Sequence, residues 1–267
     1  MKTSARAFRS ASPERLSDRV IHLSVDARQV AFVLFAGLGV LALLDIYSIY
    51  LTAQGSALSW KMSVLAGRLQ MGEEVSLPTW ASSVLLAFNA GLLFLTAQAS
   101  RKARDGSALH WAGLALIIML LSMEEIAQFH EALGSALRHR FGTTGVLYFA
   151  WVIPGIFFAL IVLLTYTRFL LRLPTRERIL FLLAGGLYIL GAVGAEMVGS
   201  AIVSARLVGA ATISDTQYLF VVLIEESLEI LGQALFAYAL VDHLAARGLC
   251  LTVGQSEPGA AQRRDAA

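Results

Sequence analysis

The sequence predicts an all-α, polytopic integral membrane bundle of about six transmembrane helices, with both termini in the cytoplasm. Three observations predict this: apolar runs of spanning length, a low content of charged residues, and an uneven distribution of basic residues. Of the 267 residues, 57% are hydrophobic and 15% are charged, whereas a soluble domain has about 25% charged residues. The deficit of charge excludes an ordinary soluble domain. The lipid bilayer is therefore the expected main partner, and no nucleic acid is expected.

Six apolar runs are long enough to cross a bilayer, which requires about 20 predominantly apolar residues in a helix. Each run is predicted to be helical, because a helix satisfies its own backbone hydrogen bonds in lipid. The predicted spans are residues 30–51, 80–99, 109–132, 146–171, 178–203 and 216–242. They form a membrane domain, 30–242, which follows a basic cytoplasmic arm (1–29) and precedes a disordered cytoplasmic tail (243–267).

Basic residues lie mostly on one side of this arrangement. With six spans, 16 of the 21 Lys and Arg residues fall in the arm, in the tail, in the loop after the second span and in the segment 168–178 around the loop after the fourth span. Cytoplasmic segments of membrane proteins carry such an excess, so both termini are predicted to be cytoplasmic. An even number of spans follows from that orientation.

Three local features refine the prediction. Residues 57–70 have apolar side chains at helical spacing and are predicted to form a helix on the outer membrane surface, as an anchor or a lid. Pro154 is predicted to kink the fourth span. Gly191, Ala195 and Gly199 form a small-residue face that allows close approach of a neighbouring helix. Glu196 adjoins this face and is expected to point into the bundle.

Acidic residues within membrane-length segments are costly and are usually functional. At a rise of about 1.5 Å per residue, the acidic groups of the third, fifth and sixth spans lie at similar depth. Asp45 of the first span and Asn89 of the second fall in the same half of the membrane. We therefore predict one shared site in the extracytoplasmic half. Its members are Glu124, Glu125, His130, Glu131, Glu196, Glu225, Glu226 and Glu229.

So many carboxylates cannot all stay ionised in a low dielectric, so either they share protons or a cation neutralises them. The chain has one cysteine, Cys250, and a site of carboxylates with one imidazole suits zinc, iron or manganese. On a regular helix His130 points about 120° away from Glu124, so both reach one centre only if the site is wide or the helix distorts. The predicted metal ligands are Glu124, His130, Glu131, Glu196, Glu226 and Glu229, and the predicted catalytic groups are Glu124 and Glu225.

Three classes of function fit these residues, and the sequence leaves open whether the protein is an enzyme. The first is a metal-binding membrane protein, with enzyme activity on a lipid-phase substrate and a glutamate as general base. The second is a proton- or cation-coupled transporter. The third is a non-catalytic sensor or structural membrane protein. For the first class, the expected partner besides the bilayer is a lipophilic small molecule.

Several short segments occur together along the second half of the chain: Ser122-Met123-Glu124-Glu125, His130-Glu131, Trp151-Val152-Ile153-Pro154-Gly155, Glu196-Met197 and Glu225-Glu226. In this combination the chain resembles a group of uncharacterised bacterial multipass proteins over about residues 110–242. The resemblance implies a location in the bacterial inner membrane. It implies no assigned activity.

Overall fold

The computed structural model describes residues 21–23, 26–210, 214–247 and 251–253. The chain divides into two compact units, residues 25–247 and residues 1–24 with 248–267. In the second unit, strands β1 (Ile21–Leu23) and β2 (Leu251–Val253) pair antiparallel, with Ile21 opposite Val253. The rest of the predicted basic arm and disordered tail lies outside the described residues, apart from 26–29 and 243–247, which belong to or flank the first and last helices.

Every regular element among the described residues of the unit 25–247 is helical. Short turns connect most of its helices, and serines begin two of them: the Ser76 side chain accepts from the Thr79 N–H, and Ser214 forms a capping box with Gln217. The helices of the described residues are α1 (Ala27–Thr52), α2 (Trp60–Leu69), α3 (Leu77–Ala103), α4 (Ala108–Ala127), α5 (Phe129–Phe141), α6 (Val152–Arg172), α7 (Thr175–Ile189), α8 (Glu196–Leu207) and α9 (Asp215–Ala246).

Within the described residues, five helices are long and apolar enough to cross a membrane. They are α1, α3, α4, α6 and the continuous helix Thr175–Leu207, which joins α7 and α8. These five correspond to the first five predicted spans. The sixth predicted span coincides with α9, whose apolar stretch contains Glu225, Glu226 and Glu229. A helical architecture suited to a membrane is thus confirmed, while the number of spans and the orientation of the termini stay predictions.

Three predicted spans differ from the observed helices in shape. The third is not one helix over 109–132, because it breaks at Gln128 into α4 and α5. The fourth begins at Val152, not at 146, and Pro154 does not kink it. Pro154 is the third residue of α6, where its missing N–H removes no helical hydrogen bond. The fifth contains a π-helical turn, Leu190–Ala195, which the sequence pattern did not reveal.

Helix α2 confirms the helix predicted over 57–70, whereas its place on the membrane surface stays a prediction. Two buried groups of α1 hold it and the segment after it. Ser48 Oγ donates to the carbonyl oxygen of Ala66 at 2.8 Å, and Asp45 Oδ1 accepts from the Met71 N–H at 2.9 Å. The depth estimated from the helical rise placed Asp45 in the same half of the membrane as the acidic site. Its hydrogen bond to the Met71 N–H gives it a structural role.

Helix α3 holds α4 and α9 through polar contacts. The hydroxyls of Ser83 and Ser122 each donate to the other residue's carbonyl oxygen at 2.8 Å, which fixes α4 against α3. Asn89 Nδ2 donates to the carbonyl oxygen of Gln233 on α9 at 3.0 Å. Reciprocal serine bonds of this kind join membrane helices where little hydrophobic force acts between them. The position of α4 and α9 around α3 determines where their acidic residues meet.

Candidate functional site

A break in the helix shapes the acidic stretch at the end of α4. Gln128 has a φ of 49°, a left-handed conformation that is uncommon for residues other than glycine. Its N–H still donates to the carbonyl oxygen of Glu124 at 2.7 Å, and α5 begins at the next residue. A regular helix would point Glu124 and His130 about 120° apart around its axis. Because the break places them on two different helices, this restriction does not apply.

Glu124 and His130 form a close pair across this break. Glu124 Oε1 accepts from the His130 backbone N–H at 3.0 Å and lies 2.7 Å from its Nδ1. Burial disfavours the imidazolium, whereas the hydrogen bond to the Glu124 carboxylate favours it. When His130 is neutral, donation from Nδ1 to Glu124 leaves a lone pair on Nε2. This is the arrangement of a general base.

Trp151, at the start of α6, connects the pair to Glu196. Its ring packs on the His130 imidazole with the centroids 4.7 Å apart, and its Nε1–H donates to Glu196 Oε1 at 2.8 Å. Two glycines leave room for the indole. A Cβ at Gly134 would lie 3.2 Å from the Trp151 backbone nitrogen, and a Cβ at Gly155 would lie 2.9 Å from the ring. Side chains from α4, α5, α6 and α8 thus meet in one chain of contacts.

The π-helical turn before Glu196 packs against α9. Gly191 is buried in this contact, since a Cβ there would lie 2.7 Å from both the Glu225 carbonyl oxygen and Glu229 Cγ. The close helix approach predicted for the small-residue face is confirmed at this position. The approach brings the carboxyl groups of Glu196 and Glu225 close to each other.

All of these acidic groups line one cavity of about 1020 Å³. Its wall contains every residue of the acidic site that the sequence predicts: Glu124, Glu125, His130, Glu131, Glu196, Glu225, Glu226 and Glu229. Asn89 and Gln233 line the same cavity. The residues come from α3, α4, α5, α8 and α9, so groups distant in sequence do share one wall. Their roles as ligands or catalysts stay predictions.

Most of the remaining wall is apolar, and α4, α6 and α7 provide it with residues such as Ile118, Val162 and Leu182. Aromatic rings close the end opposite the acids, where the edge of Trp111 packs on Phe169 with the centroids 4.8 Å apart. Trp111 and Glu124 stand about 20 Å apart along α4. Helix α6 touches α4 at this aromatic end and α5 at Trp151, and between these contacts it faces the cavity.

Comparison with protein families identifies a domain of unknown function, DUF8692, over residues 30–244. The chain belongs to this family. The match includes every residue of the acidic wall, so the wall lies within the DUF8692 domain. The predicted membership of an uncharacterised family is confirmed, whereas the bacterial origin and the motif stay predictions. Comparison with curated proteins and with solved structures gave no match.

The part of this DUF8692 protein that the structure describes contains no group of three or more His, Cys, Asp and Glu side chains positioned to hold a metal ion. His130 Nδ1 pairs with Glu124, and Glu196 accepts from Trp151. Glu131 lines the cavity and is exposed. The zinc, iron or manganese site therefore stays a hypothesis that would require the carboxylates to move together.

Sequence reasoning assigned no role to several polar residues that hold the DUF8692 site in place. Trp151 joins His130 to Glu196, and the Ser83–Ser122 exchange holds the end of α4. Ser82 accepts from Gln233 Nε2 at 2.8 Å and lies near Glu125. A usable signal was the serine pair 82–83 inside an apolar span, because hydroxyl groups in a bilayer require partners.

Proposed function

We propose that this DUF8692 protein binds a lipid-phase molecule in the cavity and holds its polar head against the acidic wall. One observation carries the proposal: a single cavity of about 1020 Å³ is acidic at one end and lined mainly by apolar residues over the rest. Ligand sites are concave, mostly apolar, and contain a few convergent polar groups. An amphiphile with a polar head and an apolar body matches that distribution.

The arrangement of α6 supports entry from the bilayer. This helix contacts its neighbours at both ends and faces the cavity between them, and its outward side chains Ile161 and Leu164 are 62% and 74% exposed. Exposed apolar side chains of this size suit lipid. A molecule dissolved in the bilayer would therefore meet the apolar wall beside α6 first, and its head would reach the acids afterwards.

The Glu124–His130 pair supports an enzymatic role on this lipid-phase substrate. His130 Nε2 would accept a proton from the head or from a water molecule, and Glu124 would stabilise the imidazolium so formed. Glu225, beside Glu196, would supply or receive a second proton. With the termini in the cytoplasm of a plasma membrane, as the basic residues favour, this chemistry takes place in the outer half of the bilayer.

Metal binding is the second candidate, and the charge of the cavity wall favours it. Seven predicted site carboxylates line the cavity, and Arg138 is its one Lys or Arg among the described residues. A zinc, iron or manganese ion would neutralise part of this charge. Its binding would have to draw together carboxylates that now stand apart.

Filling the cavity tests the proposal directly. A Cβ at Gly185, on the cavity wall, and a Cβ at Gly91, on α3, would each meet no atom within 4 Å. We expect native mass spectrometry of the protein released from nanodiscs to detect a bound lipid-phase molecule. Gly185→Phe should lose that molecule, because the ring occupies the cavity, while Gly91→Phe should keep it. Equal occupancy in wild type and Gly185→Phe would refute binding in this cavity.

A further inference from the structure

We infer that the head of the bound molecule is a primary ammonium, so that the ligand is an amine-headed amphiphile. This inference rests on the proposed function and names the class of molecule that the cavity takes. Two independent observations lead to it, the charge of the cavity wall and the presence of unpaired hydrogen-bond acceptors in that wall.

The first observation is the charge around the head position. Carboxylates of α4, α5, α8 and α9 line the cavity, and the two basic side chains among its described lining residues are already engaged. The Arg138 guanidinium lies over the Tyr148 ring, 4.3 Å from its centroid, and His130 pairs with Glu124. An anionic head would be repelled by ionised carboxylates, whereas a cationic head would pair with them. A cationic head is the complementary choice.

The second observation is a pair of buried carbonyl oxygens, Oδ1 of Asn89 and Oε1 of Gln233, which have no hydrogen-bond partner among the described residues. Asn89 is 0% exposed and Gln233 is 3% exposed, and both residues line the cavity. Leaving such an acceptor unpaired costs free energy. A hydrogen-bond donor that reached these oxygens from the cavity would recover that cost.

The orientation of both amides follows from their other hydrogen bonds. Asn89 Nδ2 donates to the backbone carbonyl oxygen of Gln233 at 3.0 Å. Rotating the Asn89 amide by 180° would place its own Oδ1 against that backbone oxygen. Gln233 Nε2 donates to Ser82 Oγ at 2.8 Å, which leaves Gln233 Oε1 without a partner among the described residues. The free groups of these two amides are therefore acceptors.

A primary ammonium combines both requirements, because it is cationic and carries three N–H donors with no acceptor. A quaternary ammonium carries the charge without a donor, and an alcohol carries a donor without the charge. The ligand also needs an apolar chain, because an ammonium ion alone would leave the apolar part of the cavity empty.

The test compares four probes of equal chain length: dodecylamine, dodecyltrimethylammonium, 1-dodecanol and dodecanoic acid. Each is radiolabelled and bound at pH 7 to the full-length protein in nanodiscs, and the binding to Gly185→Phe is subtracted as partition into lipid. We expect dodecylamine to bind at least about tenfold more tightly than the other three, because hydrogen bonds to a charged group are the stronger ones. Gln233→Leu and Glu125→Gln should each reduce this preference, whereas Glu74→Gln, at an exposed position, should retain it.

Each other result overturns the inference in a distinguishable way. Equal affinity for dodecylamine and 1-dodecanol would refute an ammonium head while leaving a lipid-phase ligand in place. Equal affinity for dodecylamine and dodecyltrimethylammonium would refute recognition through N–H donors. If no probe binds the wild type more than Gly185→Phe, the proposed function fails and this inference fails with it.

Discussion

Replacing Gly232 by alanine is expected to destabilise the protein by about 1–3 kcal/mol, the usual cost of overpacking a close contact. A Cβ at this position would lie 2.7 Å from the Ala184 carbonyl oxygen and 2.7 Å from the Tyr188 backbone nitrogen. Both atoms belong to the backbone of α7 and cannot rotate away. Helices α7 and α9 would have to separate, and thermal unfolding in detergent would report the loss of stability.

Gly91→Ala is the matched control for this change. Gly91 is also a helical glycine, but its Cβ would meet no atom within 4 Å. Alanine there should leave stability unchanged or raise it by about 0.5–1 kcal/mol, because glycine has the poorer helix propensity. Unfolding of Gly232→Ala at the wild-type temperature would contradict the close packing of α7 on α9. It would also contradict the position of Glu229 that depends on this packing.

Changing Glu124, Glu196 and Glu229 together to glutamine is expected to lower the affinity for the bound molecule by at least about 100-fold. Each change replaces a charge-assisted hydrogen bond by a neutral one, and such bonds contribute about 1.5–3 kcal/mol. Glutamine keeps nearly the same size and removes charge from the membrane, so the variant should still insert. Native mass spectrometry would measure the occupancy in wild type and variant.

Elemental analysis of the same two samples separates this account from the metal hypothesis. The metal hypothesis expects near-stoichiometric zinc, iron or manganese in the wild type and its loss in the triple variant. The ligand account expects metal well below stoichiometry in both, with Glu74→Gln as the control for removal of an exposed carboxylate. Retention of the molecule at wild-type occupancy by the triple variant would contradict a role of the acidic wall in binding.

Much of the architecture could be predicted because the solvent imposes it. In a bilayer the length and hydropathy of a run determine a helix, and five observed helices match predicted spans within a few residues at most ends. The juxtaposition of Glu196 with Glu225 was also within reach. The estimated depth along the helix axis put both residues in the same half of the membrane, and the small-residue face at Gly191 predicted a close helix approach beside Glu196.

The rest depended on local backbone geometry that hydropathy does not encode. The break at Gln128 lies between apolar and acidic residues without a glycine or proline to mark it, so one continuous helix was the natural prediction. That break is what brings Glu124 and His130 together. The pattern of apolar residues does not predict the π-helical turn before Glu196 either. The estimated depth in the membrane also grouped Asp45 with the acidic residues. It could not reveal that the Asp45 carboxylate accepts from the Met71 N–H.

The most direct test of the central claim is a cryo-electron microscopy map of the wild-type protein in nanodiscs of native lipid. The account predicts elongated density between α4, α6 and α7, with one end beside Glu124 and Glu225 and the other directed towards the aromatic cluster at Trp111. Such density should be missing from a map of Gly185→Phe. A wild-type map in which α6 packs directly on α7 and no cavity remains would contradict the account.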